Sequence, residues 1–285
     1  MKKNQIEKMK KVILITGASS GIGKETAQYF AGKGWNVIAT MRNPEKETEL
    51  NQLDNILVVK LDVKDEETIK TAIATGIAHF GYINVLMNNA GYGQMGIFEA
   101  TTQQQMANQF DVNVFGVMNT IKAILPYFRE RKSGIILNIS SGAGKFTLPL
   151  LSMYAASKFA LEGFSEALSF ELSALNIQVK IIEPGGTQTN FNQASADTFA
   201  HDSSLTDYDP FLTAANQMFN NMKQASITTM EVAEVIYKAA TDGTTTLRYA
   251  IGNADFTKRL NDRQKMTDQE YVESIKSGFA KYLPQ

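Results

Sequence analysis

The 285-residue chain contains no cysteine, which excludes disulfides, thiolate metal ligands and a cysteine nucleophile. The absence fits a reducing compartment, so a cytoplasmic protein is expected. Histidine is nearly absent too. His79 falls at the end of an amphipathic helical pattern and His201 in a polar stretch, so no histidine-rich metal site, and no metal, is expected. Neither sign of charge dominates: the net charge is −1, which gives no basic face for nucleic acid. Long hydrophobic runs are missing, since none approaches the roughly 18 apolar residues of a membrane span. The start, MKKNQIEKMKK, is basic and polar, and the apolar stretch after it breaks at Gly17, too early for a secretory signal.

What is present is a recurring rhythm. Short runs rich in Val, Ile and Leu predict strands at 12–15, 36–40, 56–61, 85–87, 135–139, 179–182 and 247–251. Near-continuous apolar strands of this kind are buried on both faces, the habit of parallel sheets. Helical patterns lie between them, at 24–33, at 65–79 with an acidic start, at 103–132 and at 154–175. Pro126 is expected to kink or divide the third of these. The last shows an apolar stripe at 156, 160, 161, 164, 167, 168 and 172. Alternating strands and helices predict an α/β fold: a doubly wound, seven-stranded parallel Rossmann sheet covered on both faces, in a single domain over 1–285. Two regions depart from the rhythm. Residues 186–226 form a polar insertion, either a functional lid or a plain surface excursion. The tail over about 254–285 predicts one or two charged helices.

Several constellations could carry chemistry. TGASSGIG, residues 16–23, follows the first strand and opens a helix. Gly17, Gly21 and Gly23 allow a sharp turn and close approach of a ligand, while the helix start offers free N–H groups to an anion. The spacing differs from G-x-G-x-x-G, and such a turn is equally well a structural corner. At the end of the second strand, where a dinucleotide fold would carry an acidic residue for a ribose hydroxyl, stand Met41 and Arg42. An arginine fork suits a phosphate, which favours NADP(H) over NAD(H). Tyr154 and Lys158 share a helix face at i and i+4; an adjacent ammonium lowers a phenol pKa from about 10 and equips it for proton exchange. The NISSG and NNAG stretches, 138–142 and 88–91, end two other strands, as turns or as ligand-facing groups.

In this order the motifs resemble those of the short-chain dehydrogenase/reductase family, over about residues 11–252. They are Thr16-Gly17…Gly21-x-Gly23, Asn88-Asn89-Ala90-Gly91, Asn113 in VNVFG, a serine thirteen residues before Tyr154, Lys158, and Pro184-Gly185 leading to Thr187 and Thr189. The offset selects Ser141 over Ser140. SSGIG, ATMRN, YAASKFALEGFSEAL and LRYAIG look most like the hydroxysteroid and retinol dehydrogenase-like branch.

The resemblance implies hydride transfer between NADP(H) and a carbonyl or alcohol, without metal. It casts Tyr154 as general acid/base, Lys158 as its activator, Ser141 as the group that positions the substrate carbonyl, and Asn113 as holder of a water linked to Lys158. Cofactor contacts are implied for Gly17, Ser19, Ser20, Gly21, Ile22, Gly23, Arg42, Asp62, Val63, Asn89, Ala90, Gly91, Tyr154, Lys158, Pro184, Gly185, Thr187 and Thr189, and substrate contacts for Ser141 and Tyr154. A homodimer or homotetramer packed through 103–132 and 154–175 is implied as well; Met153, Phe159 and Phe170 serve either such an interface or the core. Substrate walls are expected from 93–98, 145–151 and 186–226, where Phe146, Leu148, Leu150, Phe191, Phe199 and Phe211 form an apolar pocket or simply bury one another. A second reading on the same fold is a non-catalytic NADP(H)-binding sensor or scaffold; the complete set Asn113, Ser141, Tyr154 and Lys158 weighs for the enzyme.

Overall fold

Four consecutive buried residues, Val12–Ile15, make β1 an interior strand, where only apolar side chains can meet a helix layer on each face. In the computed structural model, which describes residues 10–189, 191–223 and 226–283, β1 is joined by β2 (Asn36–Met41), β3 (Ile56–Lys60), β4 (Val85–Asn88), β5 (Gly134–Ile139), β6 (Ile177–Pro184) and β7 (Arg248–Ile251). The basic start (1–9), residues 190 and 224–225 of the expected insertion, and the last two residues of the tail lie outside the described residues. All seven predicted strands are present. They form one parallel sheet in the order β3-β2-β1-β4-β5-β6-β7. The order reverses between β1 and β4, and at such a switch point the loops diverge and leave a crevice at the strands' carboxyl ends.

One face is covered by α1 (Gly21–Gly32) and α8 (Thr229–Thr241), where Phe30, Trp35 and Tyr237 meet edge to face. The other carries α2 (Glu66–Phe80), α4 (Gly116–Arg131) and α5 (Ser152–Ser173). Local chemistry sets the helix ends. The Asp65 side chain accepts from the Glu67 and Thr68 N–H groups, and Gly81 closes α2 at φ 84°. Thr102 with Gln105, and Thr228 with Glu231, form capping boxes for α3 (Gln103–Phe110) and α8.

The predicted helix over 103–132 is divided elsewhere than expected. The break is a π-helical turn, Asp111–Phe115, between α3 and α4, whereas Pro126 lies inside continuous α4. The α5 stripe is shifted as well. Its buried positions are Ala155, Ser157, Lys158, Leu161, Glu162, Ser165, Leu168 and Leu172, while Ala156 and Ala167 are exposed. The buried face is partly polar because Asn138, Asn113 and Arg248 satisfy it from other elements. The insertion folds into α6 (Phe191–Ala196) and α7 (Asp209–Lys223), and the tail into α9 (Ala254–Lys265) and α10 (Asp268–Ala280). Among the described residues, no helix is long and apolar enough to cross a membrane.

Candidate active site

The turn after β1 is held by its neighbour across the switch point. The Thr16 hydroxyl accepts the Asn89 and Ala90 N–H groups at 2.9 and 3.1 Å. Asn89 Nδ2 returns hydrogen bonds to the Thr16 and Gly17 carbonyls at 2.9 and 3.0 Å. Asn89 thus shapes the glycine turn, a role its motif alone did not reveal. Gly17 and Gly21 take φ values of +67° and +55°, which side chains resist. Gly23 serves close approach instead: a Cβ there would lie 2.4 Å from the Gly17 carbonyl oxygen and 2.5 Å from Asn89 Nδ2. Ser20 occupies the N-cap of α1 in extended conformation, yet its hydroxyl makes no capping bond, and both it and Ser19 are exposed. The first N–H groups of α1 are therefore left without a side-chain partner from Ser20, as an anion would require.

Around this turn stand the other expected cofactor residues. Ile22 packs against the core of the α1 face, and Met41 is buried in it. Arg42, the next residue, is exposed at the end of β2. Asp62 turns its carboxylate back to accept the Lys64 N–H at 3.0 Å, and Val63 is buried against Gly116. Gly91 lies beside the Asn113 amide oxygen. Pro184 ends β6, and the Gly185 N–H bonds the Ile251 carbonyl at 2.7 Å. The Thr187 hydroxyl donates to the Gly185 carbonyl at 3.0 Å, and Thr189 rests on Gly21, so the insertion touches the glycine turn. An open glycine turn, a helix start that Ser20 leaves uncapped, and exposed Ser19, Ser20 and Arg42 at adjacent strand ends fit a dinucleotide.

At the ends of β4 and β5 lies the second group. Ser141 caps the short turn Gly142–Gly144, its oxygen accepting the Ala143 N–H at 3.1 Å. That bond leaves the serine proton uncommitted, and the hydroxyl stands near enough to the Tyr154 phenol to favour its ionised form. Ser140, by contrast, is buried beneath Gly144, and its hydroxyl meets no partner among the described residues. Lys158, one helical turn beyond Tyr154, donates to the Ile139 carbonyl at 2.8 Å, with Nζ 5.8 Å from the Tyr154 ring centroid. Asn113 projects from the π turn and grips Tyr92 through both N–H and carbonyl, at 3.1 and 2.9 Å. Its amide also donates to the Ser157 hydroxyl at 3.3 Å, which in turn donates to the Tyr154 carbonyl at 2.7 Å. Such π turns are frequent at functional sites, and nothing in hydrophobic periodicity marks them.

The electrostatics depart from expectation. Burial pushes the Tyr154 phenol up to about 12, and the nearby Ser141 hydroxyl only partly opposes this. Burial likewise holds the Lys158 ammonium down to about 8, against the attraction of Glu162. The predicted lowering of the tyrosine by the lysine is absent here, because Nζ is engaged by the Ile139 carbonyl and stands off the ring. Behind Lys158, Arg248 binds Glu162 at 3.0 Å and lies 3.4 Å from Glu183. Burial and the Glu162 charge push the Glu183 carboxyl up to about 7, with Lys145 and Arg248 opposing.

Over the tyrosine lies Phe191, ring centroids 5.5 Å apart, its far edge against Gly93. A cavity of about 450 Å³ is lined by Gly96, Ile97, Phe98, Glu99, Leu150, Ser152, Tyr208 and Phe211. The three walls expected from sequence all contribute to it. Phe146 instead faces the tail helices, with Leu148 packed beside it, and Phe199 joins the cluster around Ile97 and Leu150.

Comparison with known proteins agrees with this fold. The family described as short chain dehydrogenase matches residues 11–199. An uncharacterized oxidoreductase of Schizosaccharomyces pombe is 40% identical over 75% of this chain and 89% of its own length. Retinol dehydrogenase 8 of Bos taurus is 35% identical over 80% of this chain and 77% of its own. Among solved structures, a short-chain dehydrogenase from Streptomyces avermitilis superposes with a TM-score of 0.78 at 32% identity, covering 96% of this chain and 98% of that one. ElxO with NADP bound gives 0.70 at 28% identity, covering 85% and 98%.

Proposed function

The chain belongs to the short chain dehydrogenase family, and on that premise we propose that it is an NADP(H)-dependent oxidoreductase that interconverts a carbonyl and an alcohol, with Tyr154 as the general acid/base. The observation that carries this reading is the placement of Lys158 one helical turn from Tyr154, its Nζ 5.8 Å from the tyrosine ring, with Ser141 near the phenol and Asn113 tied to the same helix through Ser157.

Gly17, Ser19, Ser20, Gly21, Ile22, Gly23, Asn89, Ala90, Gly91, Asp62 and Val63 would hold the adenosine and pyrophosphate portions; Pro184, Gly185, Thr187, Thr189, Tyr154 and Lys158 would hold the nicotinamide portion. Ser20 and Arg42 would hold a 2′-phosphate, which supports NADP(H), as does the likeness to a structure with NADP bound. The bound dinucleotide supplies or accepts the hydride. Ser141 orients the substrate oxygen, and Tyr154 gives that oxygen its proton in reduction or removes it in oxidation. A phenol held near 12 is a reluctant acid, so a charged Lys158 drawn toward it makes proton release easier. Asn113, locked by Tyr92 and Ser157, would hold a water that returns the proton from solvent. The cavity's Ile97, Phe98, Leu150 and Phe211 favour a substrate with an apolar body.

Replacing Tyr154 by Phe is expected to abolish NADPH oxidation against a panel of aldehydes, ketones and quinones while leaving NADPH binding within about twofold. Full turnover in that variant overturns the mechanism, and a preference of the parent for NADH overturns the cofactor assignment. The same reading takes the protein as a cytoplasmic homodimer or homotetramer. The exposed Phe159 and Phe170 on α5, at 44% and 71%, support association, and a strict monomer at micromolar concentration in sedimentation would refute it.

A further inference from the structure

The helices that follow β7 lie beyond the matched residues 11–199, and the reaction above makes no use of them. Phe256, in the first turn of α9, reaches the active-site loops. Its N–H is capped by Asn253 Oδ1 at 2.8 Å, and its side chain is buried. The ring is seated among three glycines from three separate loops. A Cβ on Gly142 would lie 2.4 Å from Phe256 Cε2, on Gly185 2.9 Å from Cδ2, and on Gly252 2.3 Å from Cδ1. No side chain larger than hydrogen fits at any of them while the ring is in place. Phe146 closes a further side, with ring centroids 6.0 Å apart.

Each glycine adjoins the site. Gly142 follows Ser141, and Gly185 opens the stretch to Thr187 and Thr189. Gly252 follows Ile251, whose carbonyl receives the Gly185 N–H. Hydrogen bonds fix these turns internally: the Gly144 N–H reaches the Ser141 carbonyl at 2.9 Å, and the Phe146 N–H reaches the Gly142 carbonyl at 3.0 Å. Glycine has no side chain with which to fix one turn against another, and Phe256 supplies that contact. The ring is itself held from behind by Tyr271, Leu260, Met266 and Ile275. Close-packed groups transmit displacement rather than absorb it.

We propose that Phe256 is a positioning residue whose ring sets the spacing between the Ser141 turn and the Gly185–Thr189 segment, so that the C-terminal helices complete the active site without touching substrate. This rests on the roles given above to Ser141 and to Gly185–Thr189. A residue that only covered the surface would not need three close backbone approaches, two of them next to site residues.

The test compares the full-length parent with Phe256→Ala, Phe256→Leu and Tyr154→Phe. It measures NADPH oxidation with a carbonyl substrate found by screening, binding of NADPH and of 2′,5′-ADP by calorimetry, and amide hydrogen exchange. In Phe256→Ala, kcat is expected to fall by about tenfold or more, since misplacement of an ångström is that damaging. NADPH binding weakens while 2′,5′-ADP, which reaches only the glycine turn and Arg42, binds as before to within about twofold. Exchange quickens in 140–151 and 184–189 and not in 16–23, and Phe256→Leu restores much of each effect. The proposal is overturned if kcat stays within about twofold with exchange in 140–151 unchanged, or if both ligands weaken equally, the sign of general loosening. Should Phe256→Ala fail to fold, Phe256→Leu carries the same comparison at smaller amplitude. A parent that oxidises no NADPH with any carbonyl refutes the enzymatic reading instead, and the exchange pattern still decides whether Phe256 couples the loops.

Discussion

Two turns at the carboxyl edge of this sheet do the same work by opposite means. The turn after β1 is tied by polar bonds from Thr16 and Asn89, which stand directly across the switch point. The turn after β5 leans on an apolar ring delivered by α9. Hydrogen bonds are directional and exact in distance, and they suit a backbone that must present N–H groups to phosphate. A ring packed on glycines fixes spacing but not direction, and it suits loops whose own side chains, Ser141 among them, do the aiming. The first device depends on neighbours in one sheet; the second makes the site depend on the last part of the chain.

The comparison breaks most sharply at Gly23. Gly23→Ala drives a Cβ onto the Gly17 carbonyl and the Asn89 amide, neither of which can retreat without losing the turn. Calorimetry should detect no binding of NADPH or 2′,5′-ADP. Gly163→Ala, in the open on α5, is the control and should stabilise by up to about 1 kcal/mol. Next in size is Thr16→Val, which keeps shape but strands two N–H groups. A loss of about 2–6 kcal/mol is expected in denaturant unfolding, since each unsatisfied group costs about 1–3 kcal/mol. The 2′,5′-ADP affinity should fall while exchange in 140–151 stays unchanged; a matching change there would mean the two turns are not independent.

The smallest effect is in pH dependence, where two buried carboxyls should slope oppositely. At the glycine-turn end, burial opposes ionisation of Glu47, but the Leu50 and Glu49 N–H groups and Lys24 outweigh it and hold the carboxyl below its ordinary 4.5. Its contribution is present above that value and lost as pH falls through the lower folded one. Glu183, pushed up to about 7, holds more protons folded than unfolded between 4.5 and 7, so stability falls as pH rises across that window. Glu183→Gln should flatten the fall, and Glu47→Gln should flatten only the acid limb. Melting curves from pH 4 to 8 that show neither change would remove this distinction.

What the sequence revealed divides along the same line. The seven strands were legible because each is a short apolar run ended by a turn residue, and the motifs at their ends were legible because their parts are close in sequence. Tyr154 and Lys158 needed only one helical turn. Residues whose partners are remote were not legible: Ser157, Glu162 and Ser165 are polar on a buried face, so apolar periodicity drew the α5 stripe off its true line. α8 went unmarked although Thr228 and Glu231 spell its capping box. Phe256 looks like any aromatic in a charged tail until Gly142 and Gly185, more than 70 residues away, are brought to it by the fold.

The π turn at Asp111–Phe115 has a consequence best put as one of phase. A regular helix turns about 100° per residue, so one residue more or fewer within it resets the direction of everything after it. The π turn absorbs one such residue within a single wide turn, so that Ile121, Ile124 and Phe128 stay on the sheet while Asn113 is bulged out toward Tyr92. Removing one residue at the bulge would leave that face of α4 in place and lose the presentation of Asn113. The spacing between Gly91 and Thr120 is therefore as much a part of the site as any side chain in it.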